Sequence, residues 1–223
     1  MKILIKFPTR SRPDKFKKCL KNIGTKALCR DYHILVSADE DDKTMNIAEI
    51  RALQSEIVTI IYGTSNNKIH ACNRDINEFN YDWDIIINTS DDMVFNQEGF
   101  DNIIREDMRK YFPDLDGVLH YSDGFQKSNV MTMSIMGRKY YSRFGYIYHP
   151  EYQSLWADCE TTEVAKILGK YKYLGDDKIL FYHLHPIFRL SVMDEQYIKQ
   201  GSKELWDIDE RVYNERKARN FDL

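Results

Sequence analysis

Two adjacent carboxylates, Asp91 and Asp92, follow the most apolar run in the chain, Trp83 to Asn88 (WDIIIN). A short run that is apolar at nearly every position reads as a strand buried on both faces, which places both acids where a sheet opens to solvent. Adjacent like charges raise each other's pKa, and a divalent cation offsets that repulsion. Carboxylate oxygens are hard ligands suited to Mg2+ or Mn2+, and such an ion can bridge a carboxylate to a diphosphate and neutralise its charge. Three other turns are chemically loaded. They are Pro8-Thr9-Arg10, the acidic loop Asp39 to Asp42, and the polar turn Thr64 to Asn67 that leads to Lys68 and Asn73. Each also has a plain reading, because Asp, Asn and Ser favour turns for local hydrogen-bonding reasons. Farther on, Asp158 opens a predicted helix and fits an N-cap, with Thr161 and Thr162 nearby. His183 and His185 share one face of a predicted strand by alternation.

The elements that must position these residues alternate in type. Strands are predicted over residues 2–7 (ended by Pro8), 33–37, 58–62 and 83–88, and helices over 12–23 (ended by Gly24), 46–54 and 68–79. Strands and helices alternating at this pace imply βαβ units and a mainly parallel sheet, with ligands bound at the carboxyl ends of its strands. After Asp92 the rhythm changes. Helices are expected over 100–111 and 160–168, a helical or loop segment over 137–144, strands over 118–121, 130–135 and 179–185, and a charged helical tail over 194–220. No repeat, linker or low-complexity tract interrupts the chain. The reading is one α/β domain over 1–223, with a doubly wound half (1–92), a mixed half (93–190) and a helical tail (191–223).

Composition narrows the function. The 223 residues are 43% hydrophobic and 30% charged, ordinary values for one folded domain and not for a disordered chain. A net charge of -3 argues against broad electrostatic binding to nucleic acid or anionic membrane. Cys19, Cys29, Cys72 and Cys159 form no CxxC pair, so they read as free thiols in a reducing compartment. The amino-terminal MKILIKFPTR is too short and too interrupted for a signal peptide, and no stretch approaches the roughly 20 apolar residues of a membrane helix. A cytoplasmic location is expected, the host's cytoplasm for a viral protein.

The ordered set of motifs resembles the GT-A fold glycosyltransferases, family-2-like, over roughly residues 2–186. Pro8-Thr9-Arg10-Ser11-Arg12 is similar to the family's first-strand end, and Thr89-Ser90-Asp91-Asp92 to its DxD motif, with Thr89 or Ser90 in place of the first acid. The resemblance implies a Rossmann-like central sheet flanked by helices. It also implies transfer of a hexosyl or pentosyl group from a nucleoside-diphosphate sugar, commonly UDP-linked, to a glycan or other hydroxyl acceptor with Mn2+ or Mg2+. It assigns nucleotide-sugar contacts to Pro8, Thr9, Arg10, Asp39, Lys68 and Asn73. Asp92 falls to the metal and Asp91 to the ribose or a metal-bound water. A late histidine completes the metal site: His185, nearest the strand end, with His183 in reserve. Asp158, within Trp156-Ala157-Asp158-Cys159-Glu160, matches the family's general base, which implies inversion at the anomeric carbon. The Tyr-rich stretch from Gly137 to Tyr152 falls on the acceptor side.

Three rival readings remain. A nucleotidyltransferase also joins an α/β sheet to metal-bound carboxylates, but carries a Gly-rich loop after its first strand, where this chain has PTRSRPDKF. A non-catalytic binding or assembly subunit would keep the fold without turnover. A transferase acting on modified bases in DNA fits the acidic balance less well.

Overall fold

The computed structural model describes residues 1–223. Four apolar runs form parallel strands: β1 (Ile3–Thr9), β2 (Tyr32–Asp39), β3 (Val58–Gly63) and β4 (Ile85–Asn88). The sheet continues past β4 through β7 (Ile135–Gly137), β6 (Val118–His120) and β8 (Tyr171–Tyr173), in the order β3-β2-β1-β4-β7-β6-β8. Only β7 runs against its neighbours, antiparallel to both β4 and β6. A separate ribbon pairs β5 (Met93–Phe95) with β9 (Phe181–His183) just beyond the carboxyl end of β4.

Both faces of the sheet are covered. Ile3, Ile5 and Phe7 of β1 join Phe16, Cys19 and Ile23 of helix α1 (Pro13–Lys26) in one core. Leu4 joins Ile69 and Cys72 of α3 (Lys68–Asn73) in the other. The remaining helices are α2 (Ala48–Arg51), α4 (Phe100–Tyr111), α5 (Arg138–Phe144), α6 (Ala157–Ile167), α7 (Glu195–Gln200) and α8 (Lys203–Ala218). None is long and apolar enough to cross a membrane.

Several elements differ from the sequence reading for identifiable reasons. β1 runs through Pro8 to Thr9. Lys6 directs its carbonyl toward β4, where Thr89 N–H donates to it at 2.9 Å. Pro8, two residues on, points to the same side, beyond the last β4 pair at Asn88, so its missing N–H breaks no ladder. α1 continues past Gly24, which is solvent-facing with nothing near its Cβ position, and ends at Lys26. α3 stops at Asn73 instead of Phe79, because Arg74 is extended and Asp75 takes φ +72°. The strand expected at 130–135 lies at 135–137, and the tail splits into α7 and α8 at Gly201. β5 and β8, three residues each, carry too little pattern to be read locally.

One residue of β1 opposes the core. Lys6 follows Leu4 on the α3 face and is fully buried. Its Nζ donates to the Arg74 carbonyl at 2.7 Å and to the Ser37 hydroxyl, which donates in turn to Asp75. Burial pushes the Lys6 pKa down to about 7, against the pull of Asp75. A lysine whose folded pKa lies below its unfolded value near 10.5 makes the unfolded chain the better proton binder between those two pH values. Stability therefore rises with pH in that window. Denaturation of the native chain and of Lys6→Met at pH 7 and pH 9 should show the native chain gaining on the variant, by up to about 1.4 kcal/mol per pH unit. A constant difference between the two would contradict the buried, partly neutral lysine.

Candidate functional site

The turn after β4 is built from both sides. Asn88 N–H donates to Ser134 of the strand beside it, and Cys19 of α1 sets its Sγ 3.5 Å from the Ser90 carbonyl and 3.2 Å from that of Met93. Asn22, one helical turn on, brackets Phe95 through both ends of its amide, at 3.1 and 2.8 Å. These ties hold Asp91 and Asp92, 9% and 8% exposed, at the carboxyl end of the central strand.

Two buried carboxylates side by side require compensation, and each has its own. Asp91 Oδ1 accepts from Arg12 Nη1 at 3.0 Å, and Oδ2 faces the Thr9 hydroxyl at 3.4 Å. Burial pushes the Asp91 pKa up to about 6, with Arg12 opposing and Asp92 adding to the rise. Burial alone would raise Asp92 as well. Hydrogen bonds and charge from His183, Ser90 and Tyr197 outweigh it and hold that carboxyl far below the usual range. His183 Nε2 lies 3.3 Å from Asp92 Oδ2, the Tyr197 hydroxyl donates to the same oxygen at 2.8 Å, and the Ser90 hydroxyl donates to Oδ1.

The histidine assignment shifts as a result. β9 pairs His183 with Met93, which brings His183 to Asp92. The strand then ends in a tight turn, His185 N–H donating to the His183 carbonyl at 2.8 Å, which leaves the His185 ring beside that of His183, centroids 5.3 Å apart, while it is His183 that pairs with Asp92. His185 Nδ1 instead accepts from Ile187 N–H at 3.3 Å, and its ring stands edge-on to Tyr197 with centroids 4.9 Å apart. Burial lowers the His185 pKa to about 4, aided by the charges of His183 and Lys68.

The other residues singled out from sequence divide into two groups. Asp39, at the end of β2, accepts from Arg10 Nη1 at 2.6 Å, and Arg10 also clasps Asp41 at 2.7 and 3.0 Å. Pro8 and Thr9 lie alongside Ser37 and Ala38 in the same strand ends. Lys68 is exposed at the first turn of α3, near enough for its charge to act on His185. Asn73, by contrast, is a brace. Its Nδ2 donates to the Tyr148 carbonyl at 2.6 Å, and its Oδ1 accepts from Ile147 and Tyr148 N–H at 3.0 and 3.1 Å. Asp42 is another, tying Ser11 N–H (2.6 Å) to the Thr44 turn.

Asp158 stands in the first turn of α6, half-exposed, and its side chain accepts only from the adjacent Cys159 N–H at 2.9 Å. It does not cap the helix: the N-cap position is Trp156, at φ +61° and with no side-chain cap bond. Its charge reaches the buried Tyr148, whose hydroxyl is 3.4 Å from Asn88 Nδ2 at the end of β4. The Asp158 segment is thus tied to the same sheet end as the acid pair. The loop before it hangs on the tail. Asp209 of α8, fully buried, accepts from Gln153, Ser154 and Leu155 N–H at 2.9, 2.8 and 2.7 Å.

Sequence reasoning missed Tyr197 and Asp194, because residues 105 to 182 positions from their partners leave no local signal. Arg12 was visible within its motif, and its spacing from Lys15 in the first turn of α1 was the clue to a shared partner.

Asp92 and His183 offer a hard oxygen and an imidazole nitrogen, a donor pair that fits Mn2+ or Mg2+. No group of three or more His, Cys, Asp or Glu side chains stands close enough to enclose an ion without outside ligands. That arrangement suits an ion sharing its coordination with a phosphate-bearing ligand.

No protein-family model and no curated protein matches the sequence. Solved structures do match. One is the mannosyltransferase PcManGT from Pyrobaculum calidifontis in complex with GDP-Man and Mn2+, with TM-score 0.64 and 13% identity over 82% of this chain and 57% of that one. Another is S. aureus TarS 1–349 in complex with UDP-GlcNAc, with TM-score 0.62 and 15% identity over 82% of this chain and 58% of that one. The chain spans less than two thirds of these glycosyltransferases. A third is the 4-diphosphocytidyl-2C-methyl-D-erythritol synthase of Anaerococcus prevotii, with TM-score 0.54 and 10% identity over 78% of this chain and 86% of that one. The chain has the GT-A fold of nucleotide-sugar glycosyltransferases.

Asp209→Ala tests the tail's hold on the Asp158 loop. Three N–H groups would lose a charged acceptor, and hydrogen bonds of that kind contribute about 1.5–3 kcal/mol each before compensation by water. A loss of about 2–4 kcal/mol in denaturant unfolding is expected, and a variant within 0.5 kcal/mol of the native chain, the ordinary scatter for surface changes, would contradict it.

Proposed function

We propose that this chain is a metal-dependent glycosyltransferase that moves a sugar from a nucleoside-diphosphate sugar to an acceptor hydroxyl. The observation that carries the reading is the buried Asp91-Asp92 pair at the carboxyl end of the central strand of a GT-A fold, with His183 set against Asp92. A bound Mn2+ or Mg2+ would supply Lewis-acid neutralisation of the diphosphate leaving group. Asp92 and His183 are the residues to hold it. Asp39, oriented by Arg10, is the acceptor for the donor's base, and Thr9 and Lys68 line the path of its phosphates. Asp91, its pKa raised by burial and its carboxylate steadied by Arg12, suits a ribose hydroxyl or a metal-bound water.

Asp158 takes the proton of the acceptor hydroxyl. Its carboxylate stands half-exposed in the first turn of α6 with no cation paired to it, which leaves it open to an acceptor hydroxyl. The acceptor oxygen then bonds to the anomeric carbon as the bond to the diphosphate oxygen breaks, and a single displacement inverts that carbon. UDP-linked donors are the first choice among bases. The complexes of TarS with UDP-GlcNAc and of PcManGT with GDP-Man make uridine and guanosine the two to compare.

A nucleotidyltransferase is the second reading, favoured by the likeness to the diphosphocytidyl synthase. The glycine-free loop Pro8 to Phe16 weighs against it.

Asp158→Asn should lower kcat for transfer by about 10^2–10^4, the usual contribution of a positioned general base, with nucleotide affinity unchanged. Normal turnover in that variant, or retention at the anomeric carbon, would remove Asp158 from the mechanism. Nucleotide-sugar binding with Mn2+ but neither transfer nor slow release of free nucleotide would favour a non-catalytic subunit.

A further inference from the structure

The tail places two ligand-like groups in the site at once. Asp194, the N-cap of α7, receives Arg12 Nη2 at 2.6 Å and Lys15 Nζ at 2.8 Å. These two cations hold its pKa down to about 2 against the effect of burial. Three residues on, Tyr197 sets its hydroxyl on Asp92, and its ring lies against the guanidinium of Arg12 at 3.8 Å and the ammonium of Lys15 at 4.6 Å. Arg12 is not saturated by these contacts, because its Nε is buried and has no acceptor. Both cations stand at the start of the 14-residue helix α1, whose dipole favours an anion there.

The segment carrying these groups has little else to hold it. Ile187, Val192 and Met193 are 73%, 83% and 54% exposed, so the approach to α7 has little apolar anchorage beyond the Phe188 ring stacked on Phe125. Segments with so few buried apolar contacts open at low cost in free energy. At the last residue of α7, Gln200 holds the Ser154 hydroxyl through its carbonyl at 2.8 Å and its Oε1 at 2.9 Å. The end of α7 is thereby tied to the loop that leads to Asp158.

We propose that Arg12 and Lys15 form a phosphate-recognition site for the donor's diphosphate, and that the turn from Asp194 to Tyr197 is an internal occupant which the diphosphate displaces. The carboxylate of Asp194 stands where a phosphate would, and the hydroxyl of Tyr197 holds the oxygen of Asp92 that a metal would take. A phosphate brings more charge and more acceptor oxygens than a carboxylate, and the free Nε of Arg12 completes a two-pronged guanidinium contact that Asp194 leaves half-made. Displacement of Asp194 and of Tyr197 belongs to one movement, because both ride on the first turn of α7. The inference rests on the donor-site reading of Asp91 and Asp92 and adds to it the ligand of two cations and a role for the tail.

The test uses the full chain with inorganic pyrophosphate and no metal, by calorimetry and by amide hydrogen exchange over residues 194–200. Pyrophosphate should bind and should speed exchange in that segment. Asp194→Asn keeps the helix cap but removes the competing charge, and should tighten pyrophosphate about tenfold, since an internal competitor lowers apparent affinity by the fraction of time it occupies the site. Lys15→Gln, in the exposed first turn of α1, should weaken binding several-fold. Equal affinity in all three proteins, or unchanged exchange at 194–200, would overturn the proposal. If UDP with Mn2+ still binds in a way that Asp92→Asn abolishes, the donor site survives that failure. If neither UDP nor pyrophosphate binds, both readings fall. Glycerol phosphate displacing the tail where UDP does not would overturn the assignment to the donor in favour of a phosphorylated acceptor.

Discussion

The structure turns on a repulsion. Asp91 and Asp92 are adjacent, nearly buried, and fixed at the end of the central strand by the Cys19 and Asn22 ties from α1. Two such charges cannot share a low-dielectric site without partners. The surrounding elements are arranged to supply them. Helix α1 brings Arg12 to Asp91, the β5–β9 ribbon brings His183 to Asp92, and α7 brings the Tyr197 hydroxyl to the same oxygen. The two acids settle into opposite states, Asp91 raised and Asp92 lowered. Divergent pKa values in neighbouring carboxylates are a mark of divided roles. Here Asp92, held well below the usual carboxylate range, suits a cation, and Asp91, raised by burial and paired with Arg12, suits a hydroxyl or a water.

The same arrangement explains why the tail packs as part of the domain around the acid pair and is not an appendage. α7 closes over the acid pair, while Asp209 of α8 carries the loop before Asp158 on three backbone hydrogen bonds. Gln200 and Ser154 join the two. The acid pair and the Asp158 loop are therefore connected through residues 194–209, and a shift at Asp92 has a physical route to the segment that bears Asp158.

Much of this was legible in the sequence where the signal is local. The run WDIIIN announced a buried strand, although the acids after it are themselves nearly buried, and the alternation of strands and helices announced the parallel half of the sheet. The signal failed where a distant contact overrides local pattern. Lys68 to Phe79 has helical spacing, but Asn73 is drawn to Tyr148 and Arg74 to the Lys6 network, so the helix ends early. His183 and His185 alternate in sequence and their rings stay side by side, yet after the tight turn that ends β9 it is His183 that pairs with Asp92. Tyr197 answers to Asp92 across 105 residues, and nothing near it in sequence says so.

The most direct test of the central claim is the free Mn2+ signal in electron paramagnetic resonance, titrated with protein in the presence of UDP or GDP. The account predicts that the signal falls when protein and one of these nucleotides are both present, and that Asp92→Asn and His183→Ala each restore it. A signal that the native chain leaves unchanged, or that falls equally for the native chain and the Asp92→Asn variant, would contradict it.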